Sequence, residues 1–332
     1  MQGAGSDATR EWAGGPAVRT GSFRAVAQPE YPVRHRVSAA TQVSKSSPFH
    51  RGALHPPLLR NGVFRMAEST PPNPADAGLE VRTYFVRDRH ALLARVDLGE
   101  LFVDYYLHLS SHQIKVAPEH DAMFKRALAG FVLHCASRPW NEFIAWTINF
   151  QVPLVNLFLT VDNSNGSITG RVFAENVKEA PHNLFYSDVV RGSQPRRRST
   201  VTFEGGDPLN GAQALYHQSE QRDARYFQLG EEEFALLTEH PDCDLPWFHG
   251  LTIDSVRGLD QTETLALTER RVYRWHCGCN QQRMMEVLAP TMQRDAAALF
   301  GGDPKVEIRC PRCGGRHTIT REALEAFVAG DK

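Results

Sequence analysis

Four cysteines near the C-terminus constrain this chain more than any other feature. They lie in the runs His276-Cys277-Gly278-Cys279 and Cys310-Pro311-Arg312-Cys313-Gly314-Gly315, with thirty residues between the two pairs. Two tight thiol pairs that a short fold can bring together make a tetrahedral zinc site, with Cys277, Cys279, Cys310 and Cys313 as ligands. The second pair has the glycine-rich turn of a zinc knuckle, in which backbone amides can point at thiolate sulfur. The first pair is unusual, because knuckles ordinarily leave two residues between ligands. His276 and His317 flank the cysteines and could substitute as ligands, although four sulfurs make that unnecessary.

The chain has 332 residues, a net charge of −1 and 42% hydrophobic residues, which suits one large or two smaller globular units. Six cysteines are too few for a disulfide-stapled secreted scaffold, and no signal-peptide pattern opens the chain. A soluble protein of the reducing cytoplasm, away from membranes, is therefore expected. The longest apolar stretch, Ile144 to Val161, is interrupted by Asn149, Gln151, Pro153 and Asn156, so it reads as two strands rather than a membrane span. Residues 1–65 hold nine Lys/Arg against three Asp/Glu and show no sustained periodicity. Removing that +6 from −1 leaves −7 for residues 66–332, which counts against a phosphate-gripping body. Residues 1–78 are expected to be a disordered tail or an over-extended gene start ahead of Met66, with an organelle transit peptide as the alternative.

Pro71, Pro72 and Pro74 mark a linker, and ordered structure is expected from Leu79. Val81–Val86 and Ala91–Val96 read as strands, Leu101–His112 and Ala122–Ala136 as helices, and Phe143–Phe150, Leu154–Val161 and Ile168–Phe173 as strands. Asp162-Asn163-Ser164-Asn165-Gly166 is a strong hairpin turn, because Asn and Gly tolerate positive φ. The segment 79–211 is thus expected to be an α+β core domain with a largely antiparallel sheet. Residues 212–271 read as a helical linker, with helical pieces at Ala212–Gln221, Gly230–His240 and Thr262–Arg270 and no obvious core of its own. Residues 272–332 form the small zinc module. Asn280 is expected to cap a helix that Pro290 ends, a second short helix to reach Phe300, and Thr320 to cap a last one through Val328. So small a module buries little core and should need its metal to stay folded.

Other candidate chemistry is weaker. His108 and His112 stand four apart, the spacing of a helical metal pair, but Leu109-Ser110-Ser111 lacks the glutamate a zinc hydrolase uses as base; they read as surface or interface histidines. Cys135 reads as a buried inert thiol, and Cys243 sits between Asp242 and Asp244, whose charge disfavours a thiolate. Arg196-Arg197-Arg198 reads as a solvated loop. No phosphate loop, nucleophile elbow or dinucleotide fingerprint appears, and nothing supports an enzyme.

Cys-x-Cys, thirty residues, then Cys-x-x-Cys resembles the 33 kDa heat-shock protein family of redox-regulated molecular chaperones. Ser219-Glu220-Gln221, preceded by the aromatic Tyr216, is similar to that family's Ser-Glu-Gln element, and Asn165-Gly166 through Gly170-Arg171 resembles its hairpin. The resemblance covers roughly residues 80–330. Gly230–Phe234 and Pro241–Trp247 depart from the family's pattern.

The resemblance implies an ATP-independent holdase that is inactive when reduced and zinc-bound. Oxidation would form the disulfides Cys277–Cys279 and Cys310–Cys313, expel the zinc and unfold the module and the linker. Apolar residues for unfolding or misfolding client proteins would then be exposed, with Phe234, Leu236, Leu237, Trp247 and Phe248 as candidates and Met284 and Met285 adding adaptable contacts. A homodimer in the oxidised state is a further implication, and no nucleic-acid partner is expected. Two other readings stay open: a nucleic-acid-binding protein with a structural zinc, and a thiol oxidoreductase working through Cys-x-x-Cys.

Overall fold

The computed structural model describes residues 78–330. The expectations for residues 1–77, including the proline linker, lie outside the described residues. Strands β1 (Leu79–Val86) and β2 (Ala91–Asp97) pair across a tight turn in which Asp88 and His90 take positive φ. Helices α1 (Gly99–Ser111) and α2 (Pro118–Ala136) follow, and then the antiparallel run β3 (Glu142–Gln151), β4 (Leu154–Asp162) and β5 (Ser167–Phe173). β6 (Asn183–Arg191) and β7 (Arg197–Phe203) extend the sheet beyond β3. α3 (Pro208–Leu215) runs into a π-helical turn, Tyr216–Glu220.

β8 (Ala224–Gln228) and β9 (Glu233–Glu239) lead to three short helices, α4 (Leu245–Gly250), α5 (Ile253–Arg257) and α6 (Leu259–Thr262), and to the long strand β10 (Leu265–Trp275). The thiol module comprises α7 (Gln281–Phe300), the hairpin β11 (Lys305–Arg309) and β12 (Arg316–Thr320), and α8 (Arg321–Gly330). No described helix is long and apolar enough to cross a membrane.

The expected mixture of helices with a large sheet is present. Its strand order is β7-β6-β3-β4-β5-β10-β1-β2-β9-β8. Neighbours run antiparallel except β5 and β10, which join in parallel over two pairs, Ser167 with Arg274 and Ile168 with Trp275. One core lies between the sheet and α1–α3, where Phe124, Leu128, Phe131 and Trp146 are fully buried. Each such side chain stabilises the fold by roughly 1.5–3 kcal/mol. A second core lies beneath β1, β2 and β9 and takes in Leu93, Leu237, Phe248, Val256 and Leu259.

Four sequence expectations need correction. Gly230–His240 is not helical: it contains β9, which pairs with β2 on one side and β8 on the other. Phe234 and Leu236 enter the first core, Ala235 and Leu237 the second. A short apolar run buried on both faces carries no period that separates strand from helix. Thr262–Arg270 is likewise mostly strand, because β10 fills the gap between β1 and β5. Pro290 does not end its helix; the break falls at Asp295 (φ −159°, ψ 84°), whose Oδ1 accepts from Ala298 N at 2.8 Å and caps the second piece. The basic run also differs from expectation. Arg197 and Arg198 belong to β7, and Arg198 forks onto Asp188 at 2.8 and 2.7 Å.

Candidate metal centre

The first knuckle is delivered by the parallel join. Ile168 O accepts from His276 N at 2.9 Å, fixing the chain just before Cys277. Gly278, at φ +65°, turns the backbone between the two thiols, and its carbonyl accepts from Arg283 Nη1 at 2.8 Å. Asn280 caps α7 as expected, accepting from Arg283 N at 2.9 Å. The second knuckle closes the β11–β12 hairpin: Cys310 N donates to Gly315 O at 2.8 Å and Gly314 N to Cys310 O at 2.9 Å. Gly315 N points at Cys313 Sγ at 3.4 Å, the amide-to-sulfur contact expected of a knuckle.

All four sequence-predicted ligands come together. The Sγ atoms of Cys277, Cys279, Cys310 and Cys313 lie within 4.8 Å of one another. Cys277 and Cys310 stand 3.6 Å apart, as do Cys279 and Cys313. Thiolates bound tetrahedrally to one ion at about 2.3 Å sit roughly 3.8 Å apart, so the donor set fits a single metal ion. Hydrogen bonding among the crowded sulfurs splits their proton affinities. Contact with Cys277 pushes the Cys279 and Cys313 thiols far up, while Cys277, bonded to Cys279, and Cys310, bonded to Cys277, are pulled down. Four thiolates this close demand compensating positive charge, which a metal ion would supply.

His317 lies beside the cluster, with Nε2 3.3 Å from Cys279 Sγ, as a neighbour of the sulfur. His276 is exposed and outside the cluster. Cys135 is buried, and its surroundings raise its pKa well above the ordinary thiol range. The Cys243 thiol is also raised, by burial first and then by Glu239.

The contacts that seat the module on the sheet body were not evident beforehand. His108 Nε2 donates to Cys313 O at 3.0 Å, and His112 Nδ1 accepts from Arg316 N at 3.1 Å. Arg171 Nη1 donates to Cys310 O at 3.1 Å. The i, i+4 spacing of His108 and His112 was visible, but their partners lie more than two hundred residues along the chain. At Gly315 an added Cβ would stand 3.2 Å from the His112 ring, so the glycine permits the close approach. Elsewhere, Glu220 of Ser219-Glu220-Gln221 pairs with Arg138 at 3.1 Å, and Ser219 Oγ donates to Ser199 Oγ at 2.7 Å. Of the candidate client-binding residues, Phe234, Leu236, Leu237 and Phe248 are buried and Trp247 is half-buried, under the Arg89 guanidinium.

Residues 247–320 match the family model described as Hsp33 protein. No curated protein matches the chain in sequence. The fold is similar to the crystal structure of the 33 kDa chaperonin (heat shock protein 33 homolog) of Thermotoga maritima, with a TM-score of 0.60 and 14% identity, over 77% of this chain and 99% of that one. Sequence in the thiol module and fold across the described body agree on one family, the Hsp33 proteins, and it is this family that the chain resembles.

Proposed function

We propose that the chain is a redox-regulated, ATP-independent holdase of the cytoplasm, inactive when reduced and zinc-bound and active when its clustered thiols are oxidised. The observation that carries this reading is the gathering of four sulfurs within 4.8 Å on a module held to the body by hydrogen bonds to Cys310 and Cys313 themselves. A soft, all-thiolate tetrahedral donor set favours zinc. When bound, zinc would keep the four sulfurs as thiolates and tie the two knuckles together.

The thiolates are the atoms an oxidant attacks. Each disulfide forms as two thiolates give two electrons to one peroxide, which leaves as water after taking up protons. Pairing within the knuckles, Cys277–Cys279 and Cys310–Cys313, frees them from each other. Pairing across the 3.6 Å gaps would instead replace the metal with covalent staples and keep the module closed.

Either way the donor set is consumed. Structural zinc contributes about 10–16 kcal/mol in small modules, as much as the whole stability of a typical domain. The module's own core is small, built on Met284, Leu288, Phe300, Ile319 and Leu324, and cannot replace it. We read residues 272–332 as the switch, 212–271 as the linker that loosens with it, and 79–211 as the lasting core. Loosening would uncover Phe234, Leu236, Leu237, Trp247 and Phe248 for unfolding clients, and the same apolar surface could pair two oxidised chains. Binding, not turnover, is then the activity.

Light scattering from an aggregating client tests this, comparing the reduced, zinc-loaded protein with protein treated with peroxide at mildly raised temperature. Suppression only after oxidation, reversed by reductant, is expected. Equal suppression in both states would mean a constitutive holdase, and none in either would end the chaperone reading.

A further inference from the structure

A cavity of about 820 Å³ opens beside the thiol cluster, with walls from both the body and the module. Lys115 and Arg171 line it from the body, Arg309 and Arg316 from the module's hairpin, and Glu175 is its single lining carboxylate. Among the described residues, Lys115 and Arg171 pair with no carboxylate. Arg309 and Arg316 reach only Glu307, at 3.9 and 4.0 Å, the outer edge of ion-pair distance. Arg171 spends one nitrogen on Cys310 O and lies over the Phe173 ring at 4.1 Å, an arrangement that fixes the guanidinium plane. Val116 and Ala117 lead from the same wall into α2, whose first turn has no side-chain cap. Glu119 and Asp121 stand in that first turn and offset the positive end of the helix, so the positive charge of the cleft rests on the four cations. The negative charge of residues 66–332 as a whole does not decide the matter, because the field inside a cleft is set by the groups that line it.

We propose that this cleft binds a small anion with two adjacent phosphate groups, held between Lys115 and Arg171 of the body and Arg309 and Arg316 of the module. Guanidinium forks match pairs of phosphate oxygens, and cations on two facing walls suit two phosphates better than one. The diphosphate comes either as free pyrophosphate or as part of a nucleotide. Because the site needs both walls, the anion binds only while the module is docked, and by mass action it holds the module down. It would thus act as a brake on the thiol switch. This consequence rests on the proposed redox function; the binding itself does not.

The test is titration calorimetry on the full-length, reduced, zinc-loaded chain, with pyrophosphate and ADP in separate runs. Saturable one-to-one binding is expected, weakened about tenfold or more in Arg171→Gln and in Arg309→Gln. Arg309 is 55% exposed, so its substitution does not threaten the fold. Equal affinities assign the site to the diphosphate alone; tighter ADP that stays sensitive to Arg309→Gln assigns it to a nucleotide. Failure of both anions to bind overturns the proposal. So does binding unchanged in Arg309→Gln, since that variant keeps all four cysteines and would still show heat from zinc chelation. Peroxide oxidation of the thiols should slow in saturating pyrophosphate; an unchanged rate with binding intact would overturn the brake and leave the site.

Discussion

His108 Nε2 donates to the carbonyl oxygen of Cys313 at 3.0 Å, so the last turn of α1 holds the backbone of a thiol-bearing residue. Burial lowers the pKa of His108, keeping it the neutral donor. Three such bonds, with those of His112 and Arg171, join body and module at the knuckle itself. A net hydrogen bond of about 1 kcal/mol corresponds to roughly a fivefold change in an opening equilibrium. His108→Ala should therefore accelerate peroxide-driven zinc release about three- to tenfold, read with a chromogenic chelator, while leaving the zinc content of the reduced protein at one ion per chain. Unchanged release kinetics would mean that the bond has no part in restraining the module.

The six thiols should separate into two classes under oxidant. Cys277, Cys279, Cys310 and Cys313 share one cluster, whereas Cys135 is buried with a raised pKa and Cys243 is raised by burial and nearby acids. Mass spectrometry after brief peroxide treatment and alkylation should find the four clustered thiols oxidised within their knuckles and the other two alkylated only on denaturation. Cys135→Ser and Cys243→Ser should then keep the switch, and Cys310→Ser should lose the metal. Early oxidation of Cys243 would count against this division.

The gathering of the four thiols was legible because its signal is local: two pairs, each within one turn. The hairpin at Asp162–Gly166 was legible for the same reason, and Gly166 does take φ +70°. Strands β9 and β10 were not, because what makes them strands lies elsewhere. β9 is buried on both faces between β2 and β8, and β10 is shared between β1 and β5. Arg271 shows the effect most plainly. This charge, one residue past the expected helix Thr262–Arg270, is 5% exposed, donating to Cys135 O at 3.0 Å and lying over the Trp140 ring. Propensity yields to tertiary pairing in such places.

Gly166 also stands at the join between β5 and β10. Its carbonyl accepts from Arg274 N at 2.9 Å, and a Cβ there would fall 2.1 Å from Val272 O. Gly166→Ala combines positive-φ strain with a backbone clash and should cost at least about 2 kcal/mol. Because β10 leads directly to Cys277, the same variant should bind zinc more weakly. Urea midpoints and chelator competition check the two effects. Loss of stability with zinc affinity intact would show that the join does not position the first knuckle.

His134 is fully buried, bonded through Nδ1 to Tyr216 Oη at 2.9 Å, and its pKa lies well below the ordinary 6.5. Burial is the main cause, with Arg138 next. The folded chain refuses a proton that the unfolded chain accepts. Stability from this group is therefore full above about pH 6.5 and is lost as pH falls below it, at up to about 1.4 kcal/mol per pH unit. His134→Gln, which keeps a partner for Tyr216, should flatten the decline between pH 6.5 and 5. Parallel urea denaturations of the two proteins give the difference directly, and identical pH slopes would remove His134 from the account.

On the proposed function, the place of residues 212–271 in the sheet sets the order in which they would open. β9 is held by β2 through seven register pairs, from Ala91 with Glu239 to Asp97 with Glu233, and its side chains are buried on both faces. α4–α6 are short, and they meet the body mainly through Phe248, Leu251, Val256 and Leu259. Few buried contacts per residue mark a segment that opens at low cost. The order of opening should follow: first the module, then α4–α6 with the exposed edge strand β8, and β9 last. Hydrogen exchange followed through oxidation should show protection lost first across residues 245–262 and only afterwards across 234–237. Trp247→Ser, at a half-buried site, should then weaken client capture without altering thiol oxidation, whereas Leu237→Ser should destabilise the reduced protein itself. Simultaneous loss of protection across 233–262 would mean that β9 leaves the sheet with the helices, and that Phe234 and Leu236 are presented to clients from the start.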